Sequence, residues 1–259
     1  MSKSLAVAAA ALIVLAGCSS EPTGSNAASS ASSSTSPTES PSVDAPTAAD
    51  TSPAEQWANA VANTRGQASL ASQLITNVEG FERIIAGTGV VDIDSSYGDI
   101  TWSDELATTR EIQSVDGHFL ELDGTWFALD SETGVPTKVG FSPLRGLDTA
   151  GNITRVGPEQ VLGVEANRFE ASLDPAIGAS IMGFSGEEMT VLNEATPLSL
   201  VATMWVDDQG RIIRILREFQ AESTDGDPIS ATTMDLLSDF SEPSPINVPE
   251  TADAIPEPA

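Results

Sequence analysis

The sequence predicts an α+β fold: a strongly curved antiparallel sheet, a half-barrel of about 9–11 strands, wraps over a few helices and encloses an apolar cavity. Three observations support this. A helix-start signal lies at Ser52, short strand-like runs follow one another over residues 110–129, and a long apolar hairpin pattern covers residues 198–219. Antiparallel meanders that leave no long open edge curl into half-barrels or barrels. One or two helices across the open side then make the concave face a cavity.

A helix is predicted at the start of the folded part. Ser52 is a suitable N-cap, Pro53 fits the first helical position, and Glu55 completes a capping box three residues after Ser52. Trp57 and Ala60 are three residues apart, so they lie on one face of the helix. This face is expected to pack on the sheet.

Strand signals follow the helix. Residues 81–93 are rich in β-branched side chains, and two Asp-Gly pairs, at 116–117 and 123–124, separate three short runs. Asp-Gly favours the type I′ turn, in which both central residues have positive φ. Three adjacent antiparallel strands are therefore predicted, and residues 198–219 form a second hairpin. Further strands are expected at residues 97–102, 153–156, 159–164, 166–173 and 229–237, with a short helix around residues 143–150.

The first residues have the pattern of a lipoprotein leader. Lys3 provides a positive end, and the apolar run at 5–14 is shorter than the roughly 20 residues that span a bilayer. The sequence LAGC at 15–18 is a bacterial lipobox, so residues 1–17 are predicted to be a signal peptide and Cys18 the lipid anchor. Two acyl chains on Cys18 would hold the protein stably on the membrane. The expected location is the outer face of the plasma membrane, in the cell envelope.

Residues 18–52 are predicted to form a tether. Most of them are Ser, Thr, Pro or Ala, and Val43 is the only large apolar side chain after Cys18. Such a segment cannot bury enough surface to offset its ordering entropy, so we expect it to be disordered, with a reach of roughly 30 Å. Residues 53–259 then form one domain that ends in a proline-rich tail.

The charge of the chain excludes several classes of function. It has 38 acidic and 11 basic residues, a net charge of −27 and a pI near 4.1. Nucleic-acid binding needs a basic surface, so it is not expected. The single cysteine cannot form a disulfide within the chain, and no metal site, cofactor or catalytic residue is predicted. His118 is expected to be a surface or satisfied structural histidine, and the chain is not expected to be an enzyme.

Short motifs in a fixed order carry a family resemblance. Behind the lipobox and tether come a glycine-turn-tryptophan hairpin at residues 117–126, TRVG at 154–157, VLGVEANRF at 161–169, LD at 173–174, MWVDDQGRIIR at 204–214, SDF at 238–240 and INVP at 246–249. In this order they resemble the LppX/LprG-type actinobacterial lipoproteins, which share a fold with the lipoprotein carrier LolA. The resemblance implies a LolA-like domain with an acyl-binding cavity. It also implies that the protein carries or presents a lipid or lipidated glycan, with an export transporter or envelope protein as partner.

A lipid cavity needs more apolar inward positions than the protein core can fill. The candidates are Ile100, Trp102, Leu120, Leu122, Phe127, Leu129, Ile181, Met182, Phe184, Met204, Ile213, Ile215 and Leu216. The alternative is that these side chains pack against one another and the helices. For residues 177–186, two interpretations stay open: a mobile lip over the cavity, or a short amphipathic helix docked on the sheet.

Three arginines are candidates for contact with a headgroup phosphate or a partner: Arg211, Arg214 and Arg217. The alternative is that they pair with the surrounding excess of acid. Two functions follow from the sequence. One is a lipid carrier, and the other is an envelope sensor or regulatory lipoprotein that uses the same fold to bind a protein partner.

Overall fold

The computed structural model describes residues 51–78, 81–129, 142–182, 191–192 and 194–254. The chain divides into two units, Met1–Ala45 and Pro46–Ala259, and every element described below lies in the second. The predicted leader and Cys18 lie outside the described residues, as does nearly all of the tether, so these stay predictions. No helix within the described ranges combines the length and apolarity that a bilayer span requires.

Helix α1, Pro53–Asn63, has the predicted N-terminal cap. The Ser52 side chain accepts a hydrogen bond from the Glu55 amide at 3.2 Å, and the Ser52 amide donates to Glu55 Oε2 at 2.9 Å. Trp57 and Ala60 are buried, as their spacing predicts, and the Trp57 indole donates to the carbonyl of Leu147 at 2.8 Å. The capping box and the apolar face of α1 are therefore confirmed.

One open sheet makes up most of the domain. Its strands are β1 Gln67–Val78, β2 Phe81–Asp92, β3 Tyr97–Ser103, β4 Thr108–Ser114, β5 Gly117–Leu122, β6 Thr125–Leu129, β7 Gly151–Val161, β8 Val164–Ser172, β9 Thr196–Val206, β10 Ile212–Glu222, β11 Pro228–Ser241 and β12 Asp253–Ala254. The spatial order is β12-β6-β5-β4-β3-β2-β1-β11-β10-β9-β8-β7. The first eleven strands pair antiparallel, whereas the two-residue β12 pairs parallel with β6. The predicted large antiparallel sheet is confirmed.

The predicted meander is present, but one of its two turns differs from the prediction. Asp123 and Gly124 have φ of 51° and 80°, as a type I′ turn requires. At the other turn the loop is Val115–Asp116, and Gly117, with φ of 144°, already belongs to β5. The Asp-Gly signal therefore located this hairpin correctly but placed its turn one residue too late.

Strand β1 was not predicted from the sequence. Its residues QASLASQLITNV mix small and polar side chains with few β-branched ones, so its local strand signal is weak. Pairing on both sides, with β2 and with β11, compensates for this weak propensity. The long tertiary ladder, rather than local preference, determines this strand.

Cross-strand partners lie on the same face of a sheet, so the register defines one continuous face, which we call the inner face. One row of this face is Phe169, Met204, Ile215, Asp235, Ser72, Gly87, Trp102 and Thr109. Helix α1, a short 3-10 helix at Leu147–Thr149 and helix α2, Gly178–Ile181, pack on the inner face through Trp57, Leu147 and Met182. They cover the part formed by β1 and β8–β11.

Candidate functional site

Six of the predicted cavity residues lie together on the inner face of β3–β6. The register aligns Ile100 with Glu111, Glu111 with Leu120, and Leu120 with Phe127, so these four side chains share that face. Alternation along each strand adds the other members of the set, Trp102, Leu122 and Leu129. The sequence therefore identified the inward side of this meander correctly.

This part of the inner face is only partly covered. Ile100 is fully buried and Leu122 is 41% exposed. Between these extremes, four side chains are half-buried: Trp102, Leu120, Phe127 and Leu129. By contrast, Met204 and Ile215, which lie on the covered part of the inner face, are fully buried in the main core. We call the inner face of β3–β6 the open region and the inner face of β1 and β8–β11 the covered region.

Two glycines on β2 allow the Trp102 ring and the backbone of β3 to lie close against this strand. A Cβ atom on Gly87 would lie 2.3 Å from the Trp102 ring, and one on Gly89 would lie 2.0 Å from the carbonyl oxygen of Asp99. Any larger side chain at these positions would collide with the indole or with strand β3. The indole thus lies against the β2 backbone, where it packs with both apolar clusters of the inner face.

A polar cluster lies within this apolar surface. Glu111 is 5% exposed; its Oε2 accepts from the Trp102 indole at 3.1 Å, and its Oε1 lies 2.6 Å from His118 Nε2. His118 is therefore a satisfied histidine, as predicted, with Glu111 as its partner. Glu111 was not among the site residues predicted from the sequence. The alternation of REIQS at residues 110–114 was the available signal, because it places Glu111 on the same side as the inward residues.

The segment after β8 contributes helix α2 to the covered region. Gly178 packs so tightly that an added Cβ would lie 2.3 Å from the Phe219 ring. Met182 is buried, with its sulfur 3.9 Å from the Thr233 hydroxyl, and Ile181 packs on the same core. The docked-helix interpretation therefore holds for residues 178–182, while the predicted cavity residue Phe184 lies outside the described residues.

Two other cavity candidates lie on the opposite, outer face. Ile213 is buried in a separate cluster with Trp205, and Leu216 packs against that cluster. The reason for Ile213 is a bulge: Ile212 pairs with Val206 and Arg214 with Trp205, so Ile213 is an extra residue. The assignment of Ile213 and Leu216 to the cavity was wrong, because strand alternation and the bulge turn them outward.

The three candidate arginines do not form one basic patch. Arg217 is buried on the inner face, where it pairs with Asp235 at 3.1 Å, and burial lowers its pKa. Arg211 pairs with Asp207 at 2.8 Å, and Arg214 lies over the Trp205 ring at 4.3 Å on the outer face. Side chains three residues apart on a strand point to opposite faces, so the 214/217 spacing separates them. The prediction that Arg217 contacts a lipid headgroup is therefore wrong. The alternative prediction, that the arginines pair with acidic side chains, is confirmed for Arg211 and Arg217.

Two recesses that are lined by described residues lie outside the open region. One, of about 470 Å³, lies between the outer face at Thr88, Asp99 and Arg110 and the chain segment at 244–247. The other, of about 320 Å³, lies beside α1 at Asn59. Within the described ranges, no group of three or more His, Cys, Asp or Glu side chains could hold a metal ion.

Two solved structures with a similar fold are mycobacterial. The Mycobacterium tuberculosis lipoprotein LppX is 11% identical, with a TM-score of 0.48 over 74% of this chain and 96% of LppX. LprF from Mycobacterium bovis is 12% identical, with a TM-score of 0.49 over 77% of this chain and 97% of LprF. No protein-family model matches the chain, and no curated protein is similar to it in sequence.

Proposed function

We propose that this protein binds the acyl chain of a lipid or lipidated glycan against the open region of the inner face. We further propose that it carries or presents that ligand in the cell envelope. One observation carries the proposal. Inward apolar side chains of β3–β6 stay partly exposed, Leu122 at 41%, although helices cover the same face elsewhere. An acyl chain is the kind of ligand that would complete the burial of such a surface.

The energetics of this binding are favourable. Transfer of each CH₂ group out of water gains about 0.8 kcal/mol, so a sixteen-carbon chain gains about 12 kcal/mol before the costs of association. Leu122, Phe127 and Leu129 would lose their remaining contact with water at the same time. The proposed site is a binding surface, and no catalytic residue is assigned to it.

The proposed setting is the outer face of the plasma membrane. An acylated Cys18 would anchor the chain, and residues 19–52 would let the domain stand off the surface. The net charge of −27 opposes close contact with anionic headgroups, so the domain would stay in solution near the membrane. An export transporter or another envelope protein is the proposed partner that delivers or receives the ligand.

The competing function is an envelope sensor that seats part of a protein partner on the same surface. Native mass spectrometry separates the two. Residues 19–259, secreted behind a cleavable signal in the native host, keep the whole second unit and lack the anchor cysteine. We expect co-purifying acyl lipids, and one-to-one uptake of 1-palmitoylglycerol after delipidation. Protein that carries no lipid and takes up none would contradict the carrier function and favour the sensor.

A further inference from the structure

We propose that Glu111 and His118 form a polar subsite that selects neutral, hydroxyl-bearing lipids within the open region. The inference rests on the proposed lipid-binding function and names the class of lipid: one with a free hydroxyl close to its acyl chain, as in a monoacylglycerol. Esters without a hydroxyl, and lipids with anionic headgroups, would bind less tightly. The reasons lie in hydrogen bonding and in charge.

The cluster lies among the residues that would contact the acyl chain. Glu111 is directly opposite Ile100 on β3 and Leu120 on β5, and His118 is directly opposite Leu129 on β6. The side chain of His118 is 13% exposed and that of Glu111 is 6% exposed, so both border the open region without being freely solvated. A ligand chain lying along Leu120 and Leu129 would therefore bring its first polar atoms to this cluster.

The cluster offers acceptors rather than donors. His118 Nε2 lies 2.6 Å from Glu111 Oε1, and in the proposed arrangement it donates to that oxygen and leaves Nδ1 as an acceptor for the ligand. Within the described part of the chain, Nδ1 makes no hydrogen bond. Each Glu111 oxygen accepts one hydrogen bond and has a second lone pair. A ligand hydroxyl can donate a hydrogen bond to these atoms. An ester oxygen can only accept, so it would face Nδ1 or a Glu111 oxygen without forming a hydrogen bond.

The charge of the cluster disfavours anionic ligands. Among the described residues, Glu111 and His118 are the only titratable side chains on the inner face of β3–β6. The nearby Arg110 points to the outer face, where it forms a bidentate pair with Asp99 at 2.6 and 2.7 Å. No arginine or lysine in this described region therefore offsets Glu111, and a phosphate or carboxylate would meet a negative site. Such like-charge contact is costly in an apolar environment.

The test compares three probes on delipidated residues 19–259 by isothermal titration calorimetry. They are 1-palmitoylglycerol, methyl palmitate and 1-palmitoylglycerol 3-phosphate, each presented on cyclodextrin. We expect 1-palmitoylglycerol to bind about tenfold more tightly than either of the others, since one hydrogen bond to a charged group contributes about 1.5 kcal/mol. In the His118→Leu variant, the affinity for 1-palmitoylglycerol should be within about twofold of the affinity for methyl palmitate. In the Glu111→Gln variant, the difference in affinity between 1-palmitoylglycerol and 1-palmitoylglycerol 3-phosphate should become smaller.

Glu121→Gln is the matched control, because Glu121 lies on the neighbouring strand β5 but on the outer face, opposite Trp126. It should leave both ratios unchanged. Circular dichroism melting checks that each variant is folded, and the comparison of the three probes on the unmodified protein tests the subsite if His118→Leu unfolds. Equal binding of the three probes, or a preference that survives in the folded variants, would overturn the subsite alone. Binding of none of the probes would overturn the proposed function itself.

Discussion

Arg217 and Asp235 form an ion pair on the inner face of the sheet, with 3.1 Å between Nη1 and Oδ2 and side-chain exposures of 3% and 11%. Ser72 donates to the other oxygen of Asp235 at 2.6 Å, and Arg217 also donates to the carbonyls of Pro143 and Arg145. The pair thus ties strands β1, β10 and β11 to the segment that follows residue 142. A buried charge with this many partners stabilises the fold only as long as all of them are present.

Removing one member of this pair should destabilise the domain strongly. Arg217→Met leaves Asp235 without its counter-ion in an apolar environment, and we expect a loss of about 3–5 kcal/mol in the free energy of unfolding. Urea denaturation followed by circular dichroism measures it. Arg65→Ala is the control, because its pair with Asp94 is 63% and 42% exposed and should contribute less than about 1 kcal/mol. If the free energy of unfolding fell by a similar amount in both variants, the buried pair would contribute no more to stability than an exposed one.

Acyl binding should depend on Leu122. Leu122→Gln places a polar amide where the acyl chain would lie. We expect the affinity for 1-palmitoylglycerol to fall about fivefold to tenfold, because the variant loses roughly the free energy of one apolar side-chain contact with the ligand. Ile84→Gln is the matched control: Ile84 is 40% exposed against 41% for Leu122, but it lies on the outer face opposite Ile75. Calorimetry on both variants measures the difference. Equal loss of affinity in both would argue against binding at the open region.

A side chain at position 87 should displace Trp102. The Cβ atom of Gly87→Ala would lie 2.3 Å from the indole ring, so the ring must move. We expect a loss of about 1–3 kcal/mol in stability and a changed tryptophan indole N–H resonance in the NMR spectrum. Gly151→Ala is the control, because its Cβ would meet only the Ser172 carbonyl, at 4.0 Å. An unchanged indole signal in folded Gly87→Ala protein would refute the close packing.

Asp104 should stay ionised to a lower pH than an ordinary aspartate. A hydrogen bond from Arg83 and two backbone amides, those of Leu106 and Ala107, hold the pKa of Asp104 at about 2, below the ordinary aspartate value of about 4. A lowered pKa in the folded state means that Asp104 stabilises the fold above about pH 4 and that this contribution is lost as the pH falls through about 2. NMR titration of the carboxyl carbons measures this midpoint. Arg83→Ala should move it upward, and a wild-type midpoint near pH 4 would contradict the contacts.

Local sequence patterns predicted the parts of the fold that local chemistry determines. The Ser52–Glu55 capping box and the alternation through residues 117–129 placed α1 and the inward side of the meander correctly. Strand β1 escaped prediction because its pairing partners, rather than its own residues, hold it in place.

The candidate site was predicted less completely than the fold. The alternation of apolar residues identified the inward apolar positions. It did not identify Glu111, because an acidic residue in a strand is usually solvated and is therefore expected on the outer face. Ile213 was misplaced by a bulge that no short-range signal marks. The arginines were grouped by closeness in sequence, whereas strand geometry sends Arg214 and Arg217 to opposite faces.

The proposed ligand site places an acyl chain on the open region of the inner face. Photo-crosslinking tests it most directly, with a 1-palmitoylglycerol analogue that carries a diazirine in its chain and with the labelled residues mapped by mass spectrometry. We expect alternating labels along β6, with Phe127 and Leu129 modified and their outward neighbours Trp126 and Ala128 not modified. Label on Trp126 and other outer-face residues, or uniform label along the strand, would contradict it.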